Sequence, residues 1–306
     1  MQLIQKRMPE NFNIFLMGDD HEGNLLRYDK GFNKFLNIVC SEWNGVGEKD
    51  NYVVHHGDPM EGIMVDDPRF DPTTCTNPIP LEQVEAVVSN YLPIANKMLV
   101  MLEGNHPYKL HKFGHLTQEI CKRLEIPYGT WASKLIYLDA YNEVMFKSFH
   151  THGRKVINSS CDDIKRRKVN MLLSLKRQLK DQAGDCAIMA KGHTHRLLVC
   201  KPEPEVYMTD NGSEVQQAYT MPEYVKQEFA DDDTRSEIGK PSQGLYNAPY
   251  IHPDNRWYVN TGSFLKSSQN GVSGYAEQFE YSPMELGFAV VEIRNKTIQN
   301  VRSIFL

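Results

Sequence analysis

Eight side chains of cation-binding type stand out in this 306-residue chain, and they come in five short clusters: Asp19 and His21; Asp58; Asn105 and His106; His152; His193 and His195. Carboxylate and imidazole without thiolate suit borderline divalent ions such as Mn, Fe, Zn or Co. Eight groups are too many for one ion and suit two that share a ligand. Two ions roughly 3.5–4 Å apart can clamp the attacking and leaving oxygens of an in-line displacement. With Asp19 and Asp58 as carboxylates and one bridging hydroxide, two divalent ions leave the site about one unit positive, which favours an anionic phosphate.

The elements that must position these groups are legible in the apolar pattern. Each cluster follows a short strand-like run: residues 13–17, 51–56, 98–102, 144–149 and 187–191. In layered α/β proteins, functional groups collect in the loops at the carboxyl ends of strands. Between the runs, apolar residues recur at helical spacing. Phe32, Phe35, Leu36, Val39 and Trp43 mark one helix face, and Leu81, Val84, Val88, Leu92 and Ala95 a second that Pro93 should end. Leu116, Ile120 and Leu124 mark a short third helix, and Ile164, Met171, Leu172, Leu175 and Leu179 a long fourth. Further strands are expected at 135–138, at 256–260 running into Thr261-Gly262-Ser263, and at 287–293 and 297–304. Residues 201–255 are polar and rich in Pro, Gly, Asn and acidic residues, and read as a long insertion or loop.

Taken in order, Gly18-Asp19-Asp20-His21, Gly57-Asp58, Gly104-Asn105-His106, His152-Gly153 and Gly192-His193-Thr194-His195 resemble the five motifs of the calcineurin-like metallophosphoesterase superfamily. Asn260-Thr261-Gly262-Ser263 is similar to the turn that often follows them. Each motif alone is weak; five in order, each after a strand-like run, are specific. The resemblance implies an α/β fold, a four-layer α/β/β/α sandwich, as a single domain over 1–306 with an insertion or cap at 201–255. It implies that Asp19, His21 and His195 hold a first ion, that Asp58 bridges, and that Asn105, His152 and His193 hold a second. His106 would stay off the metals and face the substrate, protonating the leaving oxygen or stabilising developing charge. The implied cofactors are two divalent metal ions, with Mn the first expectation and Fe, Zn, Co or Ni as alternatives. The implied activity is hydrolysis of a phosphate-ester substrate by metal-activated hydroxide.

This chain also departs from part of that family. Its phosphoserine/threonine phosphatases carry Gly-Asp-x-Val-Asp-Arg-Gly and Gly-Asn-His-Glu, where this chain has Gly57-Asp58-Pro59-Met60-Glu61-Gly62 and Gly104-Asn105-His106-Pro107. Gly62 replaces a phosphate-gripping arginine, which argues against a protein phosphatase. Glu61 stands where that group has an acid that orients the catalytic histidine, so it is expected beside His106. The missing arginine and a basic helix favour a phosphodiesterase or nuclease. The alternatives are a phosphomonoesterase on a small molecule or nucleotide, and a catalytically silent scaffold. The scaffold is the weaker one, because every expected ligand position is filled.

Other candidates have plainer readings. Asp20 should point away from its neighbours, at the surface or behind the ligands. His150 lies on the opposite strand face from His152. His55 and His56 read as strand residues. His111 and His115 are spaced i, i+4 but lack a third ligand, and His252 lies in the insertion. Lys165, Arg166, Arg167, Lys168, Lys176, Arg177 and Lys180 first read as a solvated helix face; the alternative is a phosphate-backbone rail for nucleic acid. Tyr108, Tyr128 and Trp131 are stacking candidates by proximity to the third motif.

The bulk numbers set the outer bounds. A net charge of −5 and a pI near 6.1 exclude a dedicated nucleic-acid packing protein. The six scattered cysteines, with no Cys-x-x-Cys pair, read as thiols of a reducing compartment. No apolar run reaches the roughly 18 residues of a membrane span. Met1 to Asn11 hold Lys6 and Arg7 with no apolar stretch behind them, so no secretory signal and a cytoplasmic location are expected.

Overall fold

The computed structural model describes residues 1–203, 205–220 and 247–306. Its strands, in chain order, are β1 (Gln2–Arg7), β2 (Phe12–Met17), β3 (Asn51–His55), β4 (Met98–Met101), β5 (Ala132–Leu138), β6 (Val144–Thr151), β7 (Ile188–Lys191), β8 (Leu198–Cys200), β9 (Val206–Asp210), β10 (Val215–Tyr219), β11 (Trp257–Asn260), β12 (Ser268–Gln269), β13 (Val272–Ser273), β14 (Gly287–Arg294) and β15 (Thr297–Phe305). The α-helices among the described residues are α1 (Asp29–Val39), α2 (Pro80–Tyr91), the single turn α3 (Asn105–Tyr108), α4 (Leu116–Arg123), α5 (Ile164–Leu179) and the single turn α6 (Tyr275–Gln278).

Two large sheets form, in the orders β15-β14-β2-β3-β4 and β1-β5-β6-β7-β11-β8. Strands β2, β3 and β4 run parallel in the first, and β6, β7 and β11 in the second. Strand β2 is buried at all six positions, as a strand covered on both faces must be. Alternation sorts its residues. Phe12, Ile14 and Leu16 join Val54, Val100, Val291, Leu135, Phe146, Ile188 and Val259 in the core between the sheets. Phe15 and Met17 face outward, with Phe32 and Phe35 of α1, Val84 and Val87 of α2 and Ile120 of α4. On the far side of the second sheet, Phe149, Met189 and Tyr258 pack on Leu175 and Leu179 of α5. The fold is therefore mixed α/β, as expected, with apolar clusters between the sheets and between each sheet and its helices.

Three helix and strand details differ from the sequence reading. Leu81 and Leu92, expected on the core face of α2, are 64% and 65% exposed. The buried face holds Gln83, Val84, Val87 and Tyr91. Gln83 and Tyr91 carry polar atoms that find partners behind the site, and hydrophobic spacing does not reveal such residues. Ile164 is 79% exposed, because α5 begins there before the helix reaches the sheet. Strand β1 is an exposed, polar edge that pairs only with β5, so its pattern carries no burial signal.

Part of the expected insertion at 201–255, residues 204 and 221–246, lies outside the described residues. Its described part holds the hairpin β9–β10 and a return to the core at Ile251 and Asn255. Among the described residues, no helix is long and apolar enough to cross a membrane.

Candidate metal centre

Parallel strands put the clusters together. Asp19 and His21 follow β2, Asp58 follows β3, Asn105 and His106 follow β4, His152 follows β6, and His193 and His195 follow β7. Donor atoms of Asp19, His21 and His195 lie within 4.8 Å of one another, and so do those of Asp58, His152 and His193. Asn105 joins the second group, its Oδ1 2.8 Å from His152 Nε2. His106 adjoins both groups, close to His21 and Glu61 and with its backbone N–H on Asp58 Oδ1, so the eight predicted site residues lie together.

The loops interlock through the main chain. Asp19 N donates to Gly57 O at 3.0 Å and His21 N to Asp58 O at 3.2 Å. His193 N donates to Asp19 Oδ2 at 2.9 Å and His106 N to Asp58 Oδ1 at 2.8 Å. The turns are tight enough that Asp19, His21, Asp58, His193 and His195 all have left-handed backbones, with φ between 50° and 75°. Such strain costs of order 1 kcal/mol per non-glycine residue and collects at functional sites. Gly104 is required by contact: a Cβ there would lie 2.0 Å from Asp58 Oδ1.

Hydrogen bonds on the outer side of the rings decide which nitrogen faces inward. His152 Nδ1 lies 2.7 Å from the carbonyl of His56, which can only accept, so Nδ1 carries a proton and Nε2 points inward, toward Asn105 Oδ1 and Asp58 Oδ2. His21 Nδ1 donates to Glu61 Oε2 at 2.8 Å and likewise presents Nε2. That Nε2 lies 3.3 Å from His195 Nε2. Asp19 Oδ1 is fully buried and has no hydrogen-bond partner; His195 Nε2 stands 3.4 Å away without making one. Potential ligand atoms thus converge from several loops on a shared space, where burial makes the unpaired Asp19 Oδ1 costly. A divalent cation satisfies such a donor set, and outward-bonded imidazoles are how metal ligands are oriented. The residues fit the implied group.

The electrostatics agree. Burial works to raise Asp19, but the neighbouring His195 and the charge of His152 bring it down to about 2. Burial also opposes ionisation of Asp58, yet His152, His106 and His21 hold it well below the carboxylate range. His21 is lowered by burial and raised more by Glu61, Asp58 and Asp19, reaching about 9. His193 is pushed down to about 4 by burial and by His152. Positive charge is favoured between the carboxylates, and the site as a whole attracts cations.

His106 differs from the ligand-like histidines. Its Nδ1 donates to the backbone carbonyl of Glu61 at 2.6 Å, so Nε2 is free. Its side chain is 13% exposed, against 1% for His21 and 0% for His152. The expected pairing with Glu61 is thus made through the main chain. The Glu61 carboxylate serves His21 instead and stays 3.8 Å from His106 Nδ1. Gly62, with φ +59°, lies so close to the His106 carbonyl that a Cβ would come within 3.1 Å, and no arginine sits comfortably there.

The supporting shell is larger than the sequence suggested. Asp20 points away from the ligands as expected, but it is buried, accepting from His55 Nε2 at 2.8 Å and Tyr91 Oη at 2.9 Å. His55 Nδ1 in turn accepts from Gly57 N at 3.1 Å. The Glu103 carboxylate accepts from Thr117 Oγ1 and Tyr128 Oη and fixes the start of the Asn105 loop. Ser263 donates to Asp19 O at 2.9 Å, which gives the Thr261–Ser263 turn its purpose. His56 and His150 join a buried chain between the sheets: Met17 O, His56, His150 and Ser148, with Tyr137 Oη 3.0 Å from Ser148 Oγ. Pairs of polar residues on facing strands were the signal available for this chain.

The remaining candidates stay apart. His111 and His115 are exposed, with His111 Nδ1 donating to Tyr108 O. His252 is exposed and faces Asp254. On α5, Lys176 pairs with Asp254 and Arg167 donates to the carbonyls of Cys161 and Asp162.

No protein-family model and no curated protein sequence matches the chain. Among solved structures it is similar to the calcineurin-like phosphoesterase YfkN of Bacillus subtilis, at 10% identity over 96% of this chain and 90% of that one, with a TM-score of 0.39. It is also similar to a protein of unknown function from Aquifex aeolicus, at 13% identity over 61% of this chain and 81% of that one, with a TM-score of 0.26. Likenesses this distant say nothing of chemistry, and the function is read from the geometry of the site.

Proposed function

We propose that the chain is a metal-dependent phosphoesterase of the calcineurin-like type, acting on phosphodiesters. The observation that carries this reading is the buried, unpartnered Asp19 Oδ1 facing His21 and His195, beside a second group of Asp58, Asn105, His152 and His193. In this reading Asp19, His21 and His195 hold one divalent ion, Asn105, His152 and His193 hold another, and Asp58 lies between the two groups. Such ions supply Lewis acidity toward a phosphoryl oxygen and lower the pKa of water. The protein does the rest. Outer hydrogen bonds donated by Nδ1 of His21 to Glu61 and by Nδ1 of His152 to the His56 carbonyl orient the imidazoles. The interlocked loops keep the donors in register, so little reorganisation is needed when charge develops. His106 keeps its Nδ1 proton on the Glu61 carbonyl and presents Nε2 to the substrate. Protonated at Nε2, it donates to the leaving oxygen. Residues 1–306 act as one domain, with 201–255 as an insertion on it.

Purified protein with Mn²⁺ will cleave bis-p-nitrophenyl phosphate. Asp58→Asn will lose turnover together with metal binding. His106→Ala will lose about 10²–10⁴-fold in turnover while metal binding persists. Absence of cleavage with each of Mn, Ni, Co and Zn would sink the proposal. Cleavage of p-nitrophenyl phosphate in place of the diester would move it to the monoesterases.

A further inference from the structure

Beside His152 the surface opens into a cavity of about 420 Å³ bounded by Tyr108, Trp131 and Arg154. Tyr108 and Trp131 meet edge to face, with centroids 5.0 Å apart, and the Trp131 ring lies 6.5 Å from that of His152. The Arg154 guanidinium carbon sits 4.7 Å from the Trp131 centroid. Arg154 is exposed and makes no ion pair among the described residues. A guanidinium resting on an aromatic face keeps its N–H groups free for a phosphate.

A second aromatic group touches the other donor cluster. Tyr275 Oη lies 3.4 Å from His195 Nδ1. The Tyr275 ring meets Tyr281 at 6.5 Å, and Tyr281 stacks on Phe279 at 6.0 Å and 25°. These three rings are 42%, 61% and 64% exposed for Tyr275, Tyr281 and Phe279. Tyr275 can steady the His195 ring, but nothing in the proposed hydrolysis needs Tyr281 or Phe279. Contiguous exposed aromatic surface beside a catalytic centre marks a binding surface.

We infer that these two shelves hold bases of an unpaired nucleic acid strand, one on each side of the metal centre, with Arg154 on a flanking phosphate. This deepens the phosphodiester reading above and rests on it for the position of the scissile bond. Aromatic faces take any base, because every base has a π-face, and a free cation completes the usual equipment of a single-strand site. A duplex hides its base faces within the stack and leaves the shelves nothing to take up. A lone mononucleotide would use one shelf and leave the other idle.

The test is the affinity of the full chain for a fluorescein-labelled oligothymidylate of about twelve nucleotides, read by anisotropy with Mn²⁺ in the His106→Ala background so that turnover does not interfere. The strand will bind at least ~10-fold more tightly than a duplex of matching length. Adding Trp131→Ala will weaken binding by about 5- to 100-fold, and Trp131→Phe will restore most of it. Phe279→Ala will weaken it as well. Arg154→Gln will weaken it and lower the slope of log affinity against log salt by about 0.7. Equal affinity for duplex, or unchanged affinity in Trp131→Ala and Phe279→Ala, would overturn the inference. Strand binding by a chain that hydrolyses no diester would defeat the proposed function and leave the shelves standing. Hydrolysis of a small diester without strand binding would do the reverse.

Discussion

Replacing Gly104 with alanine adds one methyl group where the two donor clusters close on each other. The new Cβ would lie 2.0 Å from Asp58 Oδ1 and 2.2 Å from Asp58 N. Real Cβ atoms essentially never approach within 3.0 Å, so Asp58 or the Gly104 backbone must move by about 1 Å. Gly104 has φ −110° and ψ 166°, which alanine adopts freely, so the effect is steric and not conformational. The bond from His106 N to Asp58 Oδ1, 2.8 Å in the native chain, is the first to suffer. A misplacement of 1 Å costs about 10²-fold in turnover, and overpacking costs about 1–3 kcal/mol of stability. The assay is Mn²⁺ titration by calorimetry, with bis-p-nitrophenyl phosphate turnover and thermal unfolding on the same preparations. Gly47→Ala is the internal control: nothing lies within 4 Å of its Cβ and its φ is −63°, so all three readings should match the native chain. If Gly104→Ala keeps Mn²⁺ affinity and turnover within ~3-fold of native, the reasoning that places Asp58 between the donor groups fails.

Asp19→Asn keeps a side chain suited to the left-handed backbone there and removes the unpartnered carboxylate. The rise in melting temperature on adding Mn²⁺ should disappear, while the EDTA-treated variant unfolds within a few degrees of the EDTA-treated native chain. Burial holds His56 at about 3 and, with His56 beside it, pushes His150 well below the imidazole range. Both folded-state values lie below the unfolded value near 6.5, so the unfolded chain binds more protons and stability is full above that pH and falls below it. Each imidazole then costs about 2 kcal/mol at pH 5. Urea midpoints of EDTA-treated His150→Gln should therefore lose about that much of the native drop between pH 7 and pH 5, and an unchanged drop would count against a neutral His150. Ser263→Ala removes the donor to Asp19 O and the acceptor of Leu265 N; urea titration should find it about 1–3 kcal/mol less stable, with Mn²⁺ binding weakened but present.

Much of the site was legible because its geometry repeats. The same local event, a buried strand ending in Gly, Asp, Asn or His, occurs at Met17, His55, Met101, Thr151 and Lys191. A run of four to eight apolar residues is a strong local signal, so these strands were found within two residues of their ends. Strand β1 was missed because its residues are exposed and its pairing with Ser133–Leu138 is entirely non-local. The face of α2 was misjudged by one position, since Gln83 and Tyr91 are buried for their polar partners at Gly62 and Asp20. The acid at Glu61 was located correctly, but which imidazole its carboxylate meets depends on a loop path that spacing does not encode.

Sequence by itself determined which chemistry this chain can host: carboxylate, amide and imidazole donors delivered at successive strand ends, without thiolate. Those facts are local, carried by residue type and by the two-residue period of a strand. Only the tertiary structure decided that His21 also closes on Glu61 and His106, and which ring nitrogens face inward. It alone brought Arg154 onto Trp131 and Tyr275 against His195. Each of those outcomes depends on contacts between residues far apart in the chain, whose distances are set by packing two sheets against one core and by nothing in either segment alone.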